Sequence, residues 1–430
     1  MNAIAFKNID QPVVAQKVQL SKLQKSQSSI VVYYTLLVFI FTEFMGLAPR
    51  FPLLRLFHIN TLVPIGGLFL FILNVFLKRQ NLIIARQGWL FILLLFLILF
   101  SFLHAYWTFI VFETFKLVSG YIFIYFLIIN HLDSIQRFRN FIWVFIIAHG
   151  ILVLTNFHAL MDVQRRSRME AGPFLTNGND FALALTLILS LALCFLFYER
   201  KRMLKILLFV MISIFIFGIF MTQSRGGILA FFITILFIVF NSRYKIYGLL
   251  LVILTTVILY FALPYAFERL KSIENYQEEA SARSRIDAWK ASLKMVSDHP
   301  LTGVGAGNFT VAYGLFYRPE NALHQYAWFA AHSIYFEILG ELGLPGIMFL
   351  FLVLFFNFWD NFMSFTMIKM KRELEVFQKI PVYLSAVFVS FMVCGAFLSC
   401  ISYPHLYMYS GIVVACRRII RQSIIQDENS

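Results

Sequence analysis

The sequence predicts an all-α, polytopic membrane protein of about 12 transmembrane helices with a large helical loop on the non-cytoplasmic side. Three observations support this: the composition, the long apolar runs, and the distribution of Lys and Arg. Of the 430 residues, 60% are hydrophobic and only 13% are charged, whereas soluble domains contain about 45–50% apolar and 25% charged residues. Lipid must therefore cover part of the surface, which excludes an ordinary soluble protein.

The apolar runs follow one another along the chain, each near the length that spans a bilayer as a helix. They lie near residues 30–49, 61–77, 89–107, 109–130, 141–155, 174–198, 206–222, 226–241, 246–264, 333–357, 380–399 and 401–416. The split within 89–130 is the least distinct. The chain then divides into a cytoplasmic tail (1–29), transmembrane helices one to nine (30–264), a large loop (265–332), helices ten to twelve (333–416) and a second cytoplasmic tail (417–430).

Lys and Arg concentrate in alternate short loops, on the cytoplasmic side if the N-terminus is cytoplasmic. Examples are Arg137 and Arg139, Arg200 and Lys201, and Arg417 and Arg418. This bias predicts that both termini are cytoplasmic and that 265–332 lies on the opposite side. It also explains most of the net charge of +14 without a nucleic acid partner.

Two further features inside the apolar runs are interpreted structurally. Glu113 and Lys116 are three residues apart and are expected to form a buried ion pair. The four cysteines lack the spacing of metal ligands or of a disulfide framework, and we interpret them as packing residues. They are Cys194, Cys394, Cys400 and Cys416.

Residues 223–227, with the sequence QSRGG, form a very short turn between two apolar runs on the non-cytoplasmic side. An arginine such as Arg225 is costly near hydrocarbon, by roughly 2.5–3.5 kcal/mol at mid-depth, and needs a polar or anionic partner. The glycines free backbone amides at a helix N-terminus, where phosphate binds well. Arg225 and Ser224 are therefore candidate anion-binding residues, against the alternative of an interfacial arginine that reaches for water.

A second candidate is the start of the large loop. Arg283 and Arg285 are two residues apart, so on a helix they point in different directions, and one can face a site while the other faces solvent. The residues from 284 to 296 have helical periodicity, and His299-Pro300 should end that helix. The guanidinium fork suits phosphate, although Asp287 could instead be a local partner of a solvated helix start.

The segment from His299 to Phe309, with the sequence HPLTGVGAGNF, resembles a phosphate-binding loop only superficially. It lacks the preceding strand and the lysine of a nucleotide-binding loop. Its glycines at alternate positions favour an irregular, closely packed turn. We interpret it as a segment that shapes the loop against the membrane.

His332 stands where the large loop enters the tenth helix, and a histidine there can titrate near neutral pH and act as a general base. Tyr335 and Glu337 follow, and Glu337 lies inside an apolar run, so it should face protein or water. The alternative for His332 is an interfacial hydrogen-bonding residue. Arg165 and Arg168 precede the sixth helix, and Asn179 opens it. They complete the candidate substrate-binding residues.

Taken in order, the SRGG turn, the Arg285-to-Trp289 motif, HPLTGVGAGNF and AHSIYFEILGELGLPG resemble the O-antigen ligase and polymerase superfamily, specifically from about Phe174 to Gly346. The resemblance implies a multi-pass protein of the bacterial inner membrane whose active site faces the periplasm. It also implies a metal-independent glycosyltransferase without a cofactor, in which Arg225, Arg285 and His332 match the family's turn arginine, loop arginine and histidine.

The partners implied are an undecaprenyl-diphosphate-linked glycan donor and an acceptor hydroxyl on lipid A core, a protein or another glycan, in a setting of membrane lipid. Arginines near the membrane surface would stabilise the diphosphate leaving group, while His332 takes the acceptor proton. Arg283, Arg165, Arg168, Ser224, Asn179, Tyr335 and Glu337 would contact substrate. An O-antigen or exopolysaccharide polymerase is the main alternative. A transporter fits less well, because the charged residues concentrate at the outer surface.

Overall fold

The structure, a computed structural model, describes residues 29–45, 66–67, 69–73, 82–161, 175, 177–262, 280–322, 326, 328–369 and 379–428. It is 83% helical, with no strand among these residues. The helices are α1 (Ile30–Met45), α2 (Arg86–Phe100), α3 (Thr108–His131), α4 (Ile135–Thr155), α5 (Phe157–Met161), α6 (Gly178–Tyr198), α7 (Arg202–Met221), α8 (Arg225–Phe240), α9 (Lys245–Ala262), α10 (Ala280–Asp298), α11 (Phe309–Ala312), α12 (Ile334–Lys369), α13 (Ile380–Gly395) and α14 (Pro404–Glu428). The predicted all-α class is confirmed.

Among the described helices, six are long and apolar enough to cross a membrane, namely α2 with its following 3₁₀ turn, α3, α4, α6, α7 and α12. Shorter apolar helices are α1, α8, α13 and most of α9. A polytopic membrane protein therefore fits the structure, while the number of 12 spans stays a prediction. The 3₁₀ turn Ser101–His104 separates α2 from α3. The predicted division of residues 89–130 into two helices is therefore confirmed.

Helix α6 lies at the centre of the bundle. Of its most apolar stretch, 78% is buried, compared with 33% for α7, and it packs against α4, α7, α8 and α13. Small residues let its neighbours approach closely: a Cβ on Gly218 would lie 2.6 Å from Leu185, and one on Gly227 would lie 2.4 Å from Ala182. Close backbone contact of this kind is typical of packed transmembrane helices.

Helix α12 is kinked near the end that carries His332. Gly343 has φ of +66°, outside the helical region, and Pro345 follows inside the helix. Proline cannot donate a backbone hydrogen bond, so the helical ladder is interrupted there. The helix continues to Lys369, beyond the apolar run predicted to end at 357. Likewise α14 continues through the predicted tail as far as Glu428.

Residues 280–322 and 328–332 form a small helical layer, called the cap here, on one end of the bundle. Its own core contains Ala288, Met295, Phe309 and Tyr313, and α10 packs against α12. Helix α10 ends at Asp298, directly before His299-Pro300, as the sequence predicts. The outer boundaries of the predicted loop, near residue 265, lie outside the described residues.

Basic residues predicted on the cytoplasmic side form polar contacts between helix ends. Arg139 Nε lies 2.6 Å from Glu199 Oε1, and Trp143 donates to the same oxygen at 2.8 Å. Arg417 pairs with Asp360, to which Gln87 Nε2 also donates at 2.9 Å. These contacts tie α4 to the end of α6 and α12 to α14 and α2.

One structural expectation is wrong and another is confirmed. Lys116 Nζ and Glu113 Oε1 do form an ion pair at 2.6 Å, but the side chains are 52% and 45% exposed, because this face of α3 is turned away from the neighbouring helices. All four cysteines are free and buried, as expected for packing residues.

Candidate active site

The cap helix α10 is fastened to the chain around His332 by one tryptophan and one serine. Trp289 Nε1 donates to the carbonyl oxygen of Ala331 at 2.9 Å, and its ring stacks on Phe336 with centroids 5.0 Å apart. One turn further on, Ser292 Oγ donates to the Phe336 carbonyl oxygen at 2.6 Å. These contacts fix the side of α10 that carries Trp289 against the start of α12.

Arg285 lies one helical turn before Trp289 and therefore on the same side of α10. Its positive charge reaches His332: burial, and then the charge of Arg285, lower the pKa of His332 below the ordinary value. Arg283 points elsewhere. It is exposed, and its Nη2 donates to the carbonyl oxygen of Asn321 at 3.4 Å. The structure thus brings Arg285, and not Arg283, to His332.

His332 itself has an unusual backbone. Its φ is +48°, and Gln223, beside the SRGG turn, has φ of +51°; these are the two non-glycine residues with positive φ in the described part of the chain. Left-handed backbone is uncommon for such residues, costs of order 1–3 kcal/mol, and clusters at functional sites. Both outliers fall within the motifs that the sequence singles out.

The turn that carries Arg225 is held by short-range hydrogen bonds. Ser224 caps α8, because its Oγ accepts from the Gly227 amide at 3.2 Å, and the Ser224 amide donates to Thr222 Oγ1 at 3.2 Å. Ser224 is buried, while Arg225 is half-buried. The Ser224 side chain therefore shapes the turn, and Arg225 retains access to the surface.

The end of α13 links the Arg225 turn to the start of α12. A Cβ on Gly226 would lie 3.1 Å from Phe397, and one on Gly395 would lie 2.8 Å from Ile334. Tyr335 Oη donates to the carbonyl oxygen of Met392 at 3.0 Å. The Arg225 turn and the first two residues of α12, Ile334 and Tyr335, thus border the same few residues of α13 and its following turn.

Below His332, two carboxylates of the bundle face this region. Glu337 faces the Ile401 amide and the Ser399 side chain, and its Oε2 has no hydrogen-bond partner among the described residues. Asp180, in the first turn of α6, is buried and accepts from Tyr403 Oη at 2.9 Å. The Asp180–Tyr403 pair is not predicted by the sequence, although an Asp at the start of an apolar run is itself a signal.

The glycine-rich segment docks on the kink of α12. The amides of Val304 and Gly305 donate to the Gly340 and Glu341 carbonyl oxygens at 2.9 and 3.1 Å. The Glu341 side chain then accepts from Gly307 at 2.7 Å and from Phe309 at 3.2 Å. A carboxylate of the protein thus occupies the amides that a phosphate would need, so the segment is a structural joint.

The remaining predicted site residues lie either outside the described residues or away from the contacts described above. Arg165 and Arg168 lie outside the described residues, as does Arg166. Asn179 is half-buried in the first turn of α6. Its backbone amide donates to Oδ1 of Asn177, the residue that caps the helix, at 2.8 Å. Arg225 and Arg285 are thus the predicted anion-binding cations that border the His332 region.

The comparisons with known proteins bear on this same part of the chain. A search of the curated proteins found no match. The O-antigen ligase family model matches residues 210–352, a stretch that contains Arg225, Arg285 and His332 together with the cap. This match supports the resemblance of this part of the chain to the O-antigen ligase superfamily, and with it an O-antigen ligase- or polymerase-like function.

Proposed function

We propose that the protein is an O-antigen ligase-like glycosyltransferase. It moves a glycan from an undecaprenyl-diphosphate carrier to an acceptor hydroxyl on the periplasmic side of the bacterial inner membrane. The observation that carries the proposal is the hydrogen bond from Trp289 to Ala331. It holds the side of α10 that carries Arg285 against the chain at His332, where the cap meets the bundle, beside the turn that holds Arg225. Cations and one titratable base at a membrane surface suit a diphosphate leaving group.

In the proposed reaction a ring nitrogen of His332 takes the proton from the acceptor hydroxyl as its oxygen attacks the anomeric carbon. The bond between that carbon and the diphosphate oxygen breaks, and the diphosphate leaves with the electron pair. Arg225 and Arg285 stabilise the negative charge that develops on the leaving group. Burial and Arg285 favour neutral His332, which is the form that can accept a proton.

The remaining groups have supporting parts in the proposal. Glu337 remains a proposed contact of the substrate, and its Oε2 is buried with no hydrogen-bond partner among the described residues. Tyr335 holds α12 to α13, and Ser224 holds the turn that presents Arg225. Asn179, Arg283, Arg165 and Arg168 remain proposed contacts of the substrate. The lipid chain of the donor would approach from the bilayer between helices.

A transfer assay with purified protein, lipid-linked glycan donor and candidate acceptors tests the proposal. Arg225→Ala and Arg285→Ala should lose transfer activity. Replacement of either arginine by lysine should restore little of that activity, because lysine lacks the bidentate guanidinium fork. His332→Ala should reduce turnover by about 10²–10⁴-fold, the usual range for general-base catalysis. Arg243→Ala is the matched control, since Arg243 is exposed in the turn between α8 and α9.

Near-normal transfer by both alanine variants of the site arginines would overturn the diphosphate assignment. The acceptor distinguishes ligase from polymerase, because a polymerase extends a second lipid-linked glycan. Mass spectrometry of the product, with and without the protein, identifies which molecule carries the transferred glycan.

A further inference from the structure

Two exposed tryptophans lie side by side on the cap end of the bundle, and the proposed reaction does not use them. Trp107 directly precedes α3, and Trp328 lies four residues before His332. They are 49% and 44% exposed, and their ring centroids are 6.2 Å apart with an angle of 48° between the planes. Together they present an aromatic surface formed by two distant segments of the chain.

The backbone of Trp107 is held in place by one buried asparagine. Asn308 Oδ1 accepts from the Trp107 amide at 2.8 Å, and Asn308 Nδ2 donates to the Trp107 carbonyl oxygen at 3.3 Å. Asn308 is fully buried. The segment is thus pinned to the cap at both backbone polar atoms, while the ring stays exposed.

Trp328 is supported from behind by a glycine. A Cβ at Gly314 would lie 2.6 Å from the Trp328 ring, so the ring rests on the backbone of residue 314 and only glycine leaves room for it. Arg318 Nη2 in turn donates to the Gly314 carbonyl oxygen at 3.0 Å. A ring fixed on one side offers its other side at little cost in conformational entropy.

The aromatic surface lies within a short length of chain of the proposed catalytic region. Residues 328–331 have no helical structure, and four residues of extended chain span at most roughly 14 Å. Trp289 anchors the last of them through Ala331. A glycan whose reacting end lies at His332 could therefore place a sugar a few units away against Trp328.

We propose that Trp107 and Trp328 form a subsite for the pyranose rings of the glycan substrate; this inference rests on the proposed glycosyltransferase function. A pyranose ring has an apolar C–H face that can lie on an aromatic ring and a rim of hydroxyls that can bond to polar groups. Tryptophan provides both a large flat apolar face and an N–H donor.

The other possible occupant is the headgroup layer of the membrane, where tryptophan is enriched at the ends of transmembrane helices. The position of Trp107 directly before α3 suits either occupant. Trp328 favours the glycan, because it belongs to the cap segment that leads to His332 and its ring is fixed against Gly314.

Binding of free oligosaccharide tests the subsite without requiring transfer. The probe is the glycan released from its lipid carrier by mild acid, several sugars long, and binding is measured by saturation-transfer NMR on purified protein. We expect binding to the parent and to His332→Ala, a loss of about five- to tenfold in Trp328→Ala and Trp107→Ala, and near-parental binding in Trp328→Phe. Trp359→Ala, on a 40% exposed tryptophan near the far end of α12, is the matched control and should bind like the parent.

Transfer kinetics then assign the glycan to its source. A raised KM for a donor with several sugars, with little change for a donor with one sugar, assigns the subsite to the donor; a raised KM for the acceptor alone assigns it to the acceptor. Equal oligosaccharide binding by the parent and both alanine variants would overturn the subsite and leave the tryptophans as interfacial anchors. Oligosaccharide binding that depends on Trp328 while the parent fails to transfer would instead refute only the proposed function.

Discussion

The carboxylate of Glu341 accepts a hydrogen bond from the backbone amide of Gly307 at 2.7 Å, and this contact joins the cap to the membrane helix α12. The other carboxylate oxygen accepts from the Phe309 amide at 3.2 Å. Because α12 begins two residues after His332, the joint helps to set the position of His332 relative to the cap. Glu341 is thus a positioning residue in the proposed site.

Replacement of Glu341 should loosen the cap. Glu341→Ala leaves the amides of Gly307 and Phe309 without their acceptor, at about 1–3 kcal/mol for each buried group left unpaired. We expect a lower thermal unfolding midpoint in detergent and lower transfer activity. Glu341→Gln keeps one acceptor oxygen and should recover part of both. Glu320→Gln, at an exposed cap position, is the control, and an unchanged midpoint in Glu341→Ala would contradict the joint.

The kink of α12 should tolerate no side chain at Gly343. Its φ is +66°, and a Cβ there would lie 2.4 Å from the Pro300 carbonyl oxygen. Gly343→Ala should therefore lower the unfolding midpoint and reduce transfer, since this combination of φ and ψ is essentially restricted to glycine and costs another residue about 1–3 kcal/mol before any clash.

The matched control for that change is Gly120→Ala. Gly120 lies inside α3, and a Cβ there would meet nothing within 4 Å. Alanine is the better helix former by about 1 kcal/mol, so this variant should be as stable as the parent or more so. Equal destabilisation by both variants would mean that the Gly343 backbone is not the cause.

The parts of the fold that follow local patterns were predictable from the sequence. Apolar runs of spanning length give the helices, and His299-Pro300 gives the end of α10. The different directions of Arg283 and Arg285 follow from their two-residue spacing on a helix. Each of these depends only on residues within a turn or two of chain.

Features that depend on which helix faces packed together were not predictable. The exposure of Glu113 and Lys116 is one, because apolar residues otherwise surround α3 on most sides and do not mark which side packs against its neighbours. The bond from Tyr403 to Asp180 and the acceptor role of Glu341 are others, since each joins residues far apart in the sequence. The same holds for Trp107 beside Trp328.

The predicted topology can be checked with a pair of cysteine variants. Asn321→Cys lies in an exposed turn of the cap and Asn241→Cys in the exposed turn after α8, while the four native cysteines are buried and should label poorly. In intact spheroplasts an impermeant thiol reagent should label position 321 and not 241. Both should label after lysis. The reverse pattern would place the cap in the cytoplasm and remove the periplasmic assignment.

The pH dependence of transfer should report the electrostatic influence of Arg285 on His332. Burial and the Arg285 charge lower the pKa of His332, and a base works only when it is unprotonated. Arg285→Gln removes a positive charge that disfavours the imidazolium, so the pKa of His332 should rise and the acidic limb of kcat/KM should move to higher pH. Arg285→Lys keeps the charge and should leave the acidic limb near its parental position, although both variants turn over slowly.

An acidic limb that persists unchanged in His332→Gln would exclude His332 as the base, with Glu337 then the next group to test. An acidic limb that stays in place in Arg285→Gln but disappears in His332→Gln would keep His332 as the base and reject the electrostatic influence of Arg285 on its pKa.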